Sequence, residues 1–212
     1  MEEPTSAPAG DRPIRLAIDD GITGARGFVG RVQAPIFARE AWKDRLADWV
    51  SLAPAAGYLV LLALLIVTRD PYYIVIAVGM TTVALAVKLT KAATRPFLGE
   101  AAWLARPAGA RGCGALNGED CDAVGSDGAC AGMPSGHQAI TAFFVFSLIF
   151  YHRLTVVSAP LWIALLALNF AVGVSRVYKE CHTIPQVVVG SVVGILVAVA
   201  FYQVISPPFR LE

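Results

Sequence analysis

Charged residues are scarce in this sequence. Asp, Glu, Lys and Arg make up only 16% of its 212 residues, against roughly a quarter in ordinary soluble domains. Hydrophobic residues make up 56%, and a soluble chain of this length could not bury so much apolar surface, so lipid must be the solvent for part of it. The net charge is only +1 at pH 7. The sequence therefore also lacks a large excess of basic over acidic residues, and we expect no nucleic-acid partner.

An apolar leader is also missing from the start of the sequence. The first residues are polar and mixed in charge, without the apolar stretch of a secretory signal peptide, so we expect insertion to start from a retained transmembrane helix. We assign residues 1–50 to a polar N-terminal segment. Within it, 36–50 predicts either an amphipathic helix at the lipid interface or a charged helical lead into the first span. The residues that can share its apolar face are Ile36, Phe37, Ala41, Trp42, Leu46 and Trp49.

Apolar segments recur through the rest of the chain. Those near the ~20 residues needed to cross a hydrocarbon core of ~30 Å are roughly 51–68, 71–90, 137–151, 156–175 and 186–205. Because backbone groups find no partner in lipid, each should be a helix. We therefore predict an all-α fold, a polytopic transmembrane helix bundle of about five spans. It occupies 51–206, with a tail at 207–212 and a loop at 97–133 that is long enough to suggest a functional role.

Three short polar motifs lie at the predicted ends of these spans. KLTKAATRP at 88–96 ends the second span, PSGH at 134–137 begins the third, and SRVYKECH at 175–182 joins the fourth to the fifth. Since consecutive spans alternate in direction, all three motifs are expected at one membrane face.

These motifs contain the groups that phosphoryl transfer requires. Lys88, Arg95 and Arg176 supply positive charge, and a guanidinium can bind a phosphate through two hydrogen bonds. Ser135 and the amide of Gly136 lie at a helix N-terminus, which is a natural anion site. Two histidines complete the set, since one can attack phosphorus while the other protonates the leaving oxygen.

The combination of K-x6-RP, PSGH and SR-x5-H resembles the three signature motifs of the type-2 phosphatidic-acid phosphatase superfamily, in order and spacing. The resemblance runs from Lys88 to the end of the last span. It implies that His182 is a nucleophile that forms a phosphohistidine, that His137 is the general acid and then the base, and that no metal or other cofactor is needed. It also implies a phosphate-binding set of Lys88, Arg95, Ser135, Gly136 and Arg176.

One position departs from the general motif. The superfamily pattern continues H-x3-D, with the Asp orienting the nucleophile, whereas here the residue is Gln186. A Gln carbonyl can still accept a hydrogen bond from the imidazole, although it cannot stabilise imidazolium by charge. SRVYxxxHTxxQVxxG and GMPSGH resemble the dolichyl-diphosphate phosphatase branch, which carries this Gln. The resemblance thus implies catalytic residues His182, His137 and Gln186.

The substrate expected from this branch is a polyprenyl (dolichyl) diphosphate, presented among membrane lipids. Alternatives are phosphatidic acid, diacylglycerol pyrophosphate or a sphingoid-base phosphate, and a non-catalytic membrane scaffold is the different-class alternative. The oligomeric state stays open. Further cations available for a second phosphate are Lys91, Arg106, Arg111 and Lys179. We expect Lys91 itself to be solvated or to contact lipid headgroups.

The four cysteines all fall on the motif side of the predicted topology. They are Cys113, Cys121, Cys130 and Cys181, and they match no common zinc spacing. Disulfides that join Cys181 to any of the three loop cysteines would fit an oxidising lumen, with free thiols as the alternative. We predict a luminal active site in the endoplasmic reticulum membrane, although the positive-inside rule taken literally favours the cytosol.

Overall fold

The computed structural model describes residues 41–98, 101–107, 110, 113, 130–152 and 159–204. These residues form helices α1 (Ala41–Ser51), α2 (Ala53–Thr68), α3 (Tyr72–Thr94), α4 (Gly136–His152), α5 (Ala159–Tyr178) and α6 (Ile184–Val204), with 3-10 turns at Arg95–Phe97 and Ala102–Leu104. The described part contains no strand beyond one isolated bridge between Ala105 and Ala131. The predicted all-α fold is confirmed.

Helices α2 to α6 correspond in position to the five predicted spans. By length and composition, three candidate spans stand alone among the described residues: Tyr72–Phe97, Ala159–Tyr178 and Ile184–Val204. A fourth results if α1 and α2, which are bent by 49° at their junction, are taken as one span. Helix α4 has only 17 residues. The number of spans is thus three to four by these criteria, against the predicted five.

The outward faces of these helices are strongly apolar. Val67 on α2 is 81% exposed, Phe170 on α5 is 73% exposed and Val204 on α6 is 76% exposed. In water such surfaces would favour aggregation, whereas lipid tails are as apolar as these side chains and solvate them. The chain is an integral membrane protein.

Helix α4 is the central element of the bundle. Phe143 is fully buried, packs in one cluster with Ile76 and Met80 of α3, and meets the Phe201 ring edge-on. On the other side, Gly194 of α6 is so close that an added Cβ would overlap with the Ala139 carbonyl oxygen. Because α4 is enclosed in this way, its N-terminal end is held in a fixed position.

The turn between α2 and α3 lies at the end of the bundle that is remote from the motifs. Arg69 adopts a left-handed conformation (φ 58°) that ends α2, and Asp70 accepts a hydrogen bond from the Tyr72 amide at 2.9 Å. The Tyr151 hydroxyl donates to the same carboxylate. The turn separates the predicted spans 51–68 and 71–90. The first forty residues, including 36–40 of the predicted N-terminal helix, lie outside the described part.

Candidate active site

A cavity of about 230 Å³ lies where α3 ends and α4 begins. Its polar lining consists of Lys88, Lys91, Arg106, Gly136, His137 and His182. Its apolar lining consists of Pro54, Ala84, Val87 and Ile140. The structure therefore brings parts of all three motifs to one end of the bundle, as the alternation of spans predicts.

The hydrogen bonds around Gln186 identify which nitrogen of His182 carries the proton. Gln186 Nε2 donates to the carbonyl oxygens of Trp103 and Ala105, both at 2.8 Å. Its Oε1 must then face the other way, where it accepts from the Thr183 amide at 3.2 Å and meets His182 Nδ1 at 3.3 Å. A carbonyl oxygen can only accept, so Nδ1 carries the hydrogen and Nε2 keeps its lone pair.

A nitrogen lone pair on Nε2 is what a nucleophile requires. His182 is only 2% exposed. Burial holds the pKa of its imidazole well below the usual range, and the positive charges of Lys91, Arg106 and Arg176 lower it further. The imidazole is therefore neutral at pH 7 in the free protein. Bound phosphate would partly offset those charges.

Gln186 also anchors the chain that follows α3. Besides holding Trp103 and Ala105, its side chain packs so tightly on Gly132 that an added Cβ there would lie 2.7 Å from Oε1. Leu104 accepts hydrogen bonds from the amides of Gly132 and Met133 at 2.7 and 3.2 Å. Residues 103–106 are thus fixed beside the cavity, which explains why an amide side chain suits this position.

Replacing Gln186 by Glu tests this explanation. A carboxylate has the same shape but no hydrogen to donate, so it would face two carbonyl oxygens with a negative charge. We expect kcat/KM to fall about ten- to a hundredfold, together with a lower melting temperature. Asp, the residue of the general motif, should restore little because it keeps the same defect. Normal activity in the Glu variant would contradict these hydrogen-bond directions.

The second motif supplies the other half of the site. His137 lines the cavity. Its imidazole lies within electrostatic range of the positive charges of Arg176, Lys91, Arg106 and Lys179. Ser135 is fully buried, and its hydroxyl has no hydrogen-bond partner among the described residues. That hydroxyl and the N-terminal amides of α4 are suited to an anion.

Close packing fixes this second motif against α6. The Ser135 amide donates to the Gln186 carbonyl at 3.1 Å. A Cβ at Gly190 would lie 2.6 Å from the Ser135 carbonyl oxygen, so only glycine permits this approach. The elements that carry His182 and His137 are therefore joined directly by backbone contacts.

Arg176 of the third motif is fully buried. Its backbone carbonyl accepts from the amides of Cys181 and His182 at 3.0 and 3.2 Å, which closes the turn after α5. Its guanidinium donates to Ser51 and to the Cys113 carbonyl. The side chain acts electrostatically on both His137 and His182.

The first motif differs most from expectation. Lys88 is exposed but lines the cavity, whereas Arg95 is exposed in the 3-10 turn and is not one of the lining residues of this cavity. Lys91 is only 3% exposed and lines the cavity. The expectation that Lys91 is solvated is therefore wrong. The phosphate-binding role of Lys88 and Arg95 stays a prediction.

Arg106 is the cation that motif spacing missed. It lines the cavity beside Lys91, and its amide donates to the Cys130 carbonyl at 2.8 Å. The sequence does contain a signal, because Arg106-Pro107 repeats the Arg-Pro pair of 95–96 eleven residues later. Only the first pair has the family spacing from a lysine. Arg111, another cation named from the sequence, lies outside the described residues.

A disulfide joins Cys113 to Cys181, the residue before His182. This is one of the three pairings of Cys181 that the sequence left open. Cys130 is disulfide-bonded as well, and Cys121 lies outside the described residues. The long loop is therefore covalently attached beside the candidate nucleophile.

Comparison with known proteins yields one match. A family model described as the PAP2 superfamily matches residues 67–210 of the chain. No curated protein matches, and no solved structure matches. The matched segment begins after α1 and contains the motif residues from Lys88 to Gln186.

Proposed function

The chain belongs to the PAP2 superfamily, and on that premise we propose that it hydrolyses a polyprenyl diphosphate, such as dolichyl diphosphate, to the monophosphate and inorganic phosphate. Membership supports a membrane lipid phosphatase in general. The narrower substrate is our proposal. The observation that carries it is the cavity, which combines a strongly cationic end with an apolar wall.

The two ends of the cavity lie at different depths. Helix α3 runs toward the motif end and α4 runs away from it, so Ala84 and Ile140 lie closer to the bilayer centre than Lys91 and His137. Ala84 precedes Lys91 by seven residues, or about 10 Å of helix. A lipid phosphate fits this gradient, because each CH2 that remains in apolar surroundings avoids roughly 0.8 kcal/mol.

The proposed reaction passes through a phosphohistidine. The Nε2 lone pair of His182 forms a bond to the terminal phosphorus, and the bond from that phosphorus to the bridging oxygen breaks. His137 gives a proton to the leaving oxygen, which departs as the lipid monophosphate. A water molecule, deprotonated by His137, then attacks the phosphohistidine and releases inorganic phosphate. Cationic side chains and the N-terminus of α4 stabilise the phosphoryl oxygens throughout.

The number of cations favours a diphosphate over a monoester. Lys88, Lys91 and Arg106 all line the cavity. Two phosphates can engage more of these charges than one, and each charge-assisted hydrogen bond is a strong one. The negative charge of the substrate also favours the protonated His137 that the first step requires.

The location that we propose is the endoplasmic reticulum membrane with a luminal site. The Cys113–Cys181 disulfide supports an oxidising compartment at the catalytic end. On α1, Trp42 and Trp49 are 60% and 74% exposed, next to the apolar spans. This face supports the predicted contact of the helix with the lipid interface.

A panel of lipids in identical micelles tests the substrate. We expect kcat/KM for the polyprenyl diphosphate to exceed that for phosphatidic acid by about tenfold or more, because the second phosphate adds charge-assisted contacts. Diacylglycerol pyrophosphate isolates the head group, since it has the tail of phosphatidic acid. The assays contain EDTA because the proposed mechanism uses no divalent ion.

Each alternative has its own outcome in this panel. A clear preference for phosphatidic acid or a sphingoid-base phosphate would move the assignment to that substrate. Phosphate release that requires added magnesium would contradict the proposed mechanism. No phosphate release from any lipid would favour the scaffold.

A further inference from the structure

The guanidinium of Arg176 is held by two groups from outside its own motif. Nη1 donates to Ser51 Oγ at 3.0 Å, and Nη2 donates to the Cys113 carbonyl at 2.6 Å. Arg176 is fully buried and Ser51 is 2% exposed. Two acceptors on different nitrogens fix both the position and the plane of a guanidinium. The Cys113 acceptor is in turn tied by its disulfide to Cys181.

Ser51 is oriented to accept rather than to donate. Its hydroxyl hydrogen is directed to the Ala47 carbonyl at 2.6 Å, one turn earlier in α1. The hydroxyl oxygen therefore presents lone pairs to Arg176, which has only hydrogens to offer. Ser51 precedes the family-matched residues 67–210, so no motif of the matched segment includes it.

Helix α1 is attached to the catalytic end by further contacts. The Tyr178 hydroxyl donates to Asp44 at 2.8 Å, and Lys179 forms an ion pair with Asp48 at 2.8 Å. These two carboxylates and Ser51 thus all meet α5 or the turn that follows it, while Trp42 and Trp49 face outward. Ser51 contacts Arg176, whose positive charge interacts electrostatically with both His137 and His182.

We propose that Ser51 is a positioning residue for the phosphoryl transfer, acting by fixing the guanidinium of Arg176. The inference rests on the proposed phosphatase function. Without the Ser51 acceptor, the Nη1 group would lose a buried partner, and the guanidinium would be held less firmly in its plane. A displacement of about 1 Å in a group that stabilises the transition state costs up to about a hundredfold in rate. Ground-state binding of the lipid depends mainly on its tail and suffers less.

The test compares Ser51→Ala with Tyr178→Phe in the purified full-length protein. Both variants remove one hydroxyl that joins α1 to α5, and neither changes the charge. The Ser51 hydroxyl accepts from Arg176, whereas the Tyr178 hydroxyl donates to Asp44. We expect Ser51→Ala to lower kcat about ten- to a hundredfold with KM within about threefold. The affinity for vanadate, which resembles the five-coordinate transition state, should fall by a similar factor. Tyr178→Phe should change both by less than about threefold.

A purely structural role for Ser51 would give a different pattern. The two variants would then lose similar amounts of thermal stability and show equal kcat per folded molecule, and that result would overturn the inference. The proposed function can fail separately. If the wild-type protein releases no phosphate from any lipid, yet vanadate binding is weakened by Ser51→Ala and not by Tyr178→Phe, the positioning role stands and the substrate assignment falls.

Discussion

Replacement of His182 by Asn is expected to abolish turnover, with kcat reduced by at least about a thousandfold. Asn keeps an N–H group that can reach Gln186 Oε1, so the hydrogen bond that orients the wild-type ring has a substitute. It has no nitrogen lone pair for attack on phosphorus. The fold should survive because the buried site stays filled with a polar group that has a partner.

The measurement is rapid quenching after the addition of lipid labelled on its terminal phosphate. Wild-type protein should carry label on one peptide that contains His182, with the stability to base and lability to acid of a P–N bond. His152→Asn is the matched control. His152 lies at the opposite end of α4, where it pairs with the Tyr73 hydroxyl at 3.2 Å, and this variant should keep its activity. Label on His137, or turnover in the His182→Asn variant, would exclude His182 as the nucleophile.

The positions of the helices could be predicted because lipid imposes a simple rule. Long apolar runs must become helices that satisfy their own backbone, and the Arg69-Asp70-Pro71 turn marks where one helix stops. The three motifs meet at one end of the bundle because consecutive spans alternate in direction. The contact from His182 to Gln186 can also be predicted, since residues four apart at the start of a helix lie on one side.

The rotation of α3 about its axis could not be predicted in the same way. In a soluble helix, apolar residues mark the buried face, but α3 is apolar on all sides because lipid surrounds the bundle. Lys88 and Lys91 are three residues apart, and only tertiary packing decides that Lys88 is exposed and Lys91 is buried. The family spacing pointed to the first of them.

The positions of residues 103–106 and 130–133 could not be predicted from the sequence either. Arg106 reaches the cavity because Gln186 binds the carbonyls on either side of Leu104. Backbone hydrogen bonds between residues 130–133 and residues 104–106 hold the same segment in place. These are contacts between segments far apart in sequence. Four cysteines allow three complete pairings, and nothing in the sequence selects the Cys113–Cys181 bond.

The cations that line the cavity give the second large expected effect. Lys91→Met and Arg106→Met should each lower kcat/KM by about a hundred- to a thousandfold, because both side chains line the same cavity as the two histidines, where they can stabilise the phosphoryl oxygens. Lys88→Met and Arg95→Met are the matched controls, since they remove the same charges from exposed positions of the first motif. We expect less than about tenfold from each control, with Lys88 the larger of the two because it lines the cavity.

Comparing Lys91 with Lys88, and Arg106 with Arg95, decides whether the phosphate is bound by the cations that line the cavity or by those that have the family spacing. Stability should change little in the controls. A large loss of activity in the Lys91 and Arg106 variants, with the protein still folded, would identify these two side chains as the cations that bind the phosphate. If Arg95→Met instead causes the greatest loss and Arg106→Met is nearly silent, the family spacing identifies the binding arginine correctly. The bound state must then bring Arg95 from its exposed turn to the phosphate.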